Sequence, residues 1–216
     1  MFDQLGEAIN DEQHLKSLRI TIYCDKNQLE NWPCSQLSNL SVKCEELELN
    51  ALGGNADSRA ILMDMAGSIC QVSQCLRRLT LRLTGTSADV GLSFLSALAD
   101  SELGALEYID FSGGDKRNYS GPHKWFSEKE ECVDTLIQAL QRQVNLQTLR
   151  LYRCRLTDDQ SQKIRDALQV PDCRLIITDE EEDAYVAEKK AEEDAKKAAA
   201  EAAKKALEEA ATAEAA

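Results

Sequence analysis

The stretch NLQTLRLYRCRLT, Asn145 to Thr157, decides how this chain folds. Its apolar residues Leu146, Leu149, Leu151, Cys154 and Leu156 stand at offsets 0, 3, 5, 8 and 10. Leu149 and Leu151 alternate with polar neighbours, which is the period of a strand with one buried side. The same spacing recurs in CEELELNAL from Cys44, LRRLTLRLT from Leu76 and LEYIDFSGG from Leu106. A looser LKSLRITIYC begins at Leu15 and a truncated DCRLIIT at Asp172. The starts at 15, 44, 76, 106, 146 and 172 are separated by steps of 29, 32, 30, 40 and 26 residues. Five loosely equal steps mark an internal repeat.

Between the strand segments the period changes. Val133, Leu136, Ile137 and Leu140 follow i, i+3, i+4, i+7, and Ile164, Ala167 and Leu168 follow i, i+3, i+4. Val90, Phe94, Leu95 and Leu98 line a third apolar stripe, and Ile61, Met65 and Ile69 a fourth. Such stripes predict helices with one buried face. Ser127 with Glu130 and Thr157 with Gln160 have the spacing of a capping box. Each unit therefore reads strand, turn, helix and return. One unit cannot bury its own apolar side. Stacked units can, with parallel strands on one side and helices on the other. Cys154 is expected inside the bend after its strand, where a small thiol needs no full set of hydrogen bonds.

These units resemble the leucine-rich repeat, in the longer helix-bearing variety of the ribonuclease-inhibitor type. The resemblance spans about residues 15 to 178 and is carried most strongly by the units at Leu146, Leu76 and Cys44. The family places Cys or Asn at offset 8. Here Tyr23, Leu52, Thr84, Gly114 and Cys154 occupy it, so only the fifth unit conforms. The resemblance implies an α/β fold, a short right-handed solenoid with strands on the concave face and helices on the convex face. It implies binding of protein partners, with no catalytic residues and no cofactor.

The register assigns the outward side chains of each strand. They are Ser17, Arg19 and Thr21; Glu46, Glu48 and Asn50; Arg78, Thr80 and Arg82; Tyr108, Asp110 and Ser112; Thr148, Arg150 and Tyr152; and Arg174, Ile176 and Thr178. One reading makes these cross-strand ion pairs on a solvated sheet. The other makes Arg82, Tyr108, Asp110, Arg150 and Tyr152 anchors for a partner, since Arg and Tyr dominate binding hot spots. Both readings can hold on one face.

The fourth step is the longest, and its excess falls in GGDKRNYSGPHKWF, Gly113 to Phe126. Lys116, Arg117 and Lys124 make this a basic island. Either Trp125 and Phe126 fold back over the open edge of a unit, or the loop recognises a partner through Tyr119 or Trp125. His14 and His123 are the chain's two histidines, and neither has a base or nucleophile to work with. The loop also lacks the Gly-Lys-Ser/Thr ending of a phosphate-binding loop.

After Thr178 the composition changes. Residues 179 to 216 include 15 Ala, 13 Asp or Glu and 6 Lys, with no Gly or Pro. Ala, Glu and Lys favour helix. Glu192–Lys196, Glu193–Lys197 and Glu201–Lys205 are spaced for i, i+4 pairing, and Thr178 with Glu181 is spaced for a cap. Tyr185, Val186 and Leu207 are too few for a coiled-coil seam. A single exposed helix is predicted, serving as a spacer or docking on a partner.

The formal net charge of −13 opposes binding to nucleic acid or to anionic lipid surfaces. No apolar run is long enough to span a membrane, and the start, MFDQLGEAINDEQ, lacks the features of a secretion signal. A cytoplasmic protein is expected, with a nuclear or organellar assembly left open. Cysteines at 24, 34, 44, 70, 75, 132, 154 and 173 form no CxxC pair, so buried thiols are expected rather than a zinc site.

The functional expectation is a non-enzymatic protein–protein interaction module or scaffold. It would be a subunit or adaptor of a larger complex, binding through the strand face and the 113–126 loop. The alternative is a regulator of a partner enzyme, of the GTPase-activator or inhibitor type, for which Arg117 is the loop arginine at hand.

Overall fold

Six strands pair in chain order into one sheet, and every neighbouring pair runs parallel. They are β1 (Leu15–Cys24), β2 (Cys44–Gly53), β3 (Arg78–Arg82), β4 (Tyr108–Asp110), β5 (Thr148–Arg150) and β6 (Arg174–Ile176). The computed structural model describes residues 15–24, 43–53, 56–83, 85–101, 103–113, 124–168 and 172–214. The register follows the repeat. Leu18, Leu47, Leu79, Ile109, Leu149 and Leu175, all at offset 3, line up across the sheet and all are buried. Parallel strands cannot be joined by a tight hairpin and need a crossover. Helices provide it after β2, β3, β4 and β5.

The helices are α1 (Ala56–Val72), α2 (Ala88–Asp100), the short α3 (Trp125–Glu128), α4 (Glu131–Leu140) and α5 (Asp158–Ala167). The predicted stripes face inward. Met65 and Ile69 of α1, Phe94, Leu95 and Leu98 of α2, Val133, Leu136 and Leu140 of α4, and Ile164 of α5 share one core with the strand leucines. Burying a side chain of this size stabilises by about 1.5–3 kcal/mol, so the repeated rows are the main force holding the units together.

The turn chemistry holds in part. Thr157 and Gln160 form the capping box of α5, with Gln160 N donating to Thr157 Oγ1 at 3.2 Å and Thr157 N donating to Gln160 Oε1 at 3.0 Å. Ser127 and Glu130 do not cap α4. Glu130 is itself the N-cap residue and makes no side-chain cap bond. Its carboxylate reaches instead to Gln160 Nε2 at 2.7 Å and Lys163 Nζ at 2.7 Å, while Ser127 Oγ donates to the Lys124 carbonyl. Cys154 lies buried in its turn and points Sγ at the Phe111 carbonyl, 3.2 Å away. The flanking Arg153 and Arg155 take φ of 60° and 54° to let it in.

The chain divides into two compact units, Met1–Ile177 and Thr178–Ala216. The second contains α6 (Asp179–Glu214). Thr178 was expected as the last outward strand residue; it caps α6 instead, reciprocally with Glu181 at 3.0 and 3.2 Å. The Glu193–Lys197 pair forms at 2.6 Å, whereas Glu192 pairs with Lys189, three residues before it. The side chains of Lys205 and Leu207 lie outside those described. Side chains from Val186 to Lys204 are exposed. Among the described residues no helix is long and apolar enough to cross a membrane.

Candidate interaction surface

Parallel pairing sets Tyr108 beside Arg78 and Thr148, and Asp110 beside Thr80 and Arg150. Alternate residues of a strand share a face, so Arg78, Arg82, Tyr108, Asp110 and Arg150 stand on one side of the sheet. Asp110 is their hub. Its Oδ2 accepts from Arg150 Nη1 at 2.5 Å, from Arg82 Nη2 at 3.2 Å and from the Tyr108 hydroxyl at 3.3 Å. Its Oδ1 accepts from the Ser112 backbone N–H at 2.9 Å. Arg150 Nη1 also donates to the Tyr108 hydroxyl at 3.3 Å.

The Asp110 side chain is fully buried and that of Arg150 nearly so, whereas the Arg82 side chain is 40 % exposed. Burial by itself raises the Asp110 pKa. The Arg150 and Arg82 guanidiniums and the hydrogen bonds from Ser112 more than offset that and hold the carboxyl below its ordinary value. Hydrogen bonds between ionised groups are the strong ones. A buried carboxylate with several donors is the condition under which a desolvated ion pair is sustained.

This hub corrects the expectation of outward anchors. Tyr108, Asp110, Arg150 and Tyr152 are buried because the polar ends of the first three converge on one another. Tyr152 has the Arg153 guanidinium 5.4 Å from its ring centre. Of the expected anchors on the strands, Arg82 is the one that keeps substantial exposure.

The exposed residues of the face lie on β1, β2 and β3, and Thr148 of β5 and Arg174 of β6 are half-buried. Ser17, Arg19, Glu46 and Arg78 are exposed, and Glu48, Asn50, Thr80 and Arg82 are half-buried. Arg19 and Glu48 form a 2.6 Å ion pair across the first two strands. Asn50 Nδ2 donates to Glu48 Oε1 at 2.8 Å and to Thr21 Oγ1 at 3.4 Å. The Arg78 guanidinium sits 4.1 Å from the centre of the Tyr108 ring, within the range of a cation–π contact.

Trp125 and Phe126 fold inward. Trp125 Nε1 donates to Thr86 Oγ1 at 2.6 Å, and its ring centre lies 6.3 Å from those of Phe111 and Phe126. Trp125 therefore supports the core rather than the surface. Tyr119, Arg117 and His123 of the same loop lie outside the described residues, as do His14 and the side chains of Cys24 and Cys34. The seat of Trp125, made by Thr86 and Gly91, carried no sequence signal, because small residues at a helix start have many uses. The hub did carry one: Asp110 and Arg150 share offset 4 in adjacent units.

Among the described residues no group of His, Cys, Asp and Glu is arranged to hold a metal. The chain matches no protein-family model, and comparison with curated proteins and with solved structures gives no significant match.

Proposed function

We propose that the chain is a helix-bearing leucine-rich-repeat solenoid that works as a non-enzymatic protein–protein interaction module. In this reading it is a subunit or adaptor of a larger assembly, and it binds through the outward face of β1, β2 and β3. The aligned rows of buried leucines support the repeat reading. One observation carries the binding reading: Arg78 is exposed and Arg82 half-buried, and their guanidiniums are fastened by the buried Tyr108 ring and Asp110 carboxylate. A long side chain ordered before binding loses less entropy when the partner arrives, by about 0.5–1.5 kcal/mol per side chain. Arginine is also the charged residue most often found at hot spots.

The test is affinity purification from the native source with the full chain and with an Arg78→Glu, Arg82→Glu double variant. A protein retained by the first and lost from the second, at unchanged circular dichroism, supports the reading. An identical set of proteins on both would overturn it.

A further inference from the structure

We infer that this face recognises an acidic, extended segment of its protein partner, with carboxylates seated on Arg78 and Arg82. The inference rests on the interaction reading above and adds the chemistry of the partner. Arg78 and Arg82 lie on the same side of β3, four residues apart. At about 3.3 Å per residue their backbones are about 13 Å apart, the distance between residues i and i+4 of an extended peptide laid along the strand. Each guanidinium is held by a group below it, and Arg82 uses a single nitrogen, Nη2, for its bond to Asp110. The guanidinium has five N–H donors in a planar fork suited to a carboxylate, so the heads keep donors for a second acid.

Charge supports the same partner. The chain is strongly acidic, with a net charge of −13, yet the outward rows of the six strands hold Arg19, Arg78, Arg82, Arg150 and Arg174 against Glu46, Glu48 and Asp110. Two of the three negative charges are committed, and Glu46, opposite Arg78 in the register, is the acid that stays exposed. Asp110 is enclosed by two arginines and Glu48 is paired with Arg19. A basic partner would have to compete with those arginines for Asp110 and Glu48, whereas an acidic one meets the exposed Arg78 and the donors of Arg82 that Asp110 leaves unused.

The experiment uses the full chain and a fluorescein-labelled peptide of alternating Glu and Ser, read by fluorescence anisotropy. Expected are saturable binding that weakens with added salt, at least tenfold weaker binding to Arg78→Gln and Arg82→Gln variants, and none to the peptide with Gln in place of Glu. Circular dichroism melts of both variants control for folding. Absence of binding, or equal binding by the variants, overturns the inference. Tighter binding of a single-stranded oligonucleotide of equal charge also overturns it, since that moves the site to phosphate. If the acidic peptide fails but a captured protein still depends on Arg78 and Arg82, the acidic partner is wrong and the interaction module stands. If no protein is captured either, both fall.

Discussion

The indole of Trp125 rests on Gly91. A Cβ placed on Gly91 would come within 2.5 Å of Trp125 Cγ and Cδ2. The indole cannot retreat, because Nε1 is bonded to Thr86 and the ring is backed by Phe111 and Phe126. Within a helix, alanine is favoured over glycine by about 0.5–1 kcal/mol. Overfilling a close-packed contact costs about 1–3 kcal/mol. The overlap wins, and Gly91→Ala is expected to lower the urea midpoint. A midpoint above that of the native chain would show that Trp125 is seated elsewhere.

Asp110→Asn removes the charge on which two arginines converge. Breaking a buried pair by deleting one partner costs about 3–5 kcal/mol, and a loss of that order is expected at neutral pH. The pH dependence has a definite sign. The folded pKa of Asp110 lies below its ordinary value, so the folded state binds fewer protons than the unfolded one between the two values. The stabilisation is complete above the unfolded value of about 3.9 and is lost as pH falls through the folded one. Urea melts of both proteins through the acid range should converge. A gap that stays constant would place the carboxylate away from the arginines.

Much of this architecture was legible because leucine spacing is a local signal. Leu47, Leu79 and Leu149 announce their strands from a few neighbours, and the offset that names them also sets the register. The Asp110–Arg150 contact follows from that register without further information. What escaped depends on contacts distant in sequence. Glu130 has the spacing to cap a helix with Ser127, yet Lys163 and Gln160 lie beside it in the fold and offer stronger partners. Tyr108 and Arg150 sit on outward positions, but outward means exposed only when no neighbouring group draws the polar end down. Asp110 does so.

Five of the cysteines are predicted to react slowly in the folded chain. Burial raises Cys44 to about 12 and Cys132 and Cys173 to about 11, and pushes Cys70 and Cys154 well up too. The thiolate is the reactive form. Iodoacetamide at mildly alkaline pH should label these five in denaturant and, in the native protein, leave buried Cys44, Cys70, Cys132 and Cys154 unmodified and label half-buried Cys173 slowly, as read by mass spectrometry of peptides. Because their folded pKa values are raised, they stabilise the fold fully below the unfolded value of about 8.5 and progressively less above it. Rapid native labelling of any of the four buried thiols would contradict its burial.

Gln143 is the place where substitution should strengthen the protein. It precedes its unit's first leucine by three residues, as Ser73 and Leu103 precede theirs. Ser73 spends its hydroxyl on the backbone N and O of Cys44, each at 2.7 Å, and Leu103 has no polar group to satisfy. The Gln143 side chain is buried with neither Nε2 nor Oε1 bonded. An unmet buried polar group costs about 1–3 kcal/mol, and leucine fills nearly the same space. Gln143→Leu is expected to raise the urea midpoint by about 1 kcal/mol of stability, while Gln143→Ala, which leaves a void, should lower it. A leucine variant less stable than the native chain would mean that the amide has a partner in solution, with an ordered water the natural candidate.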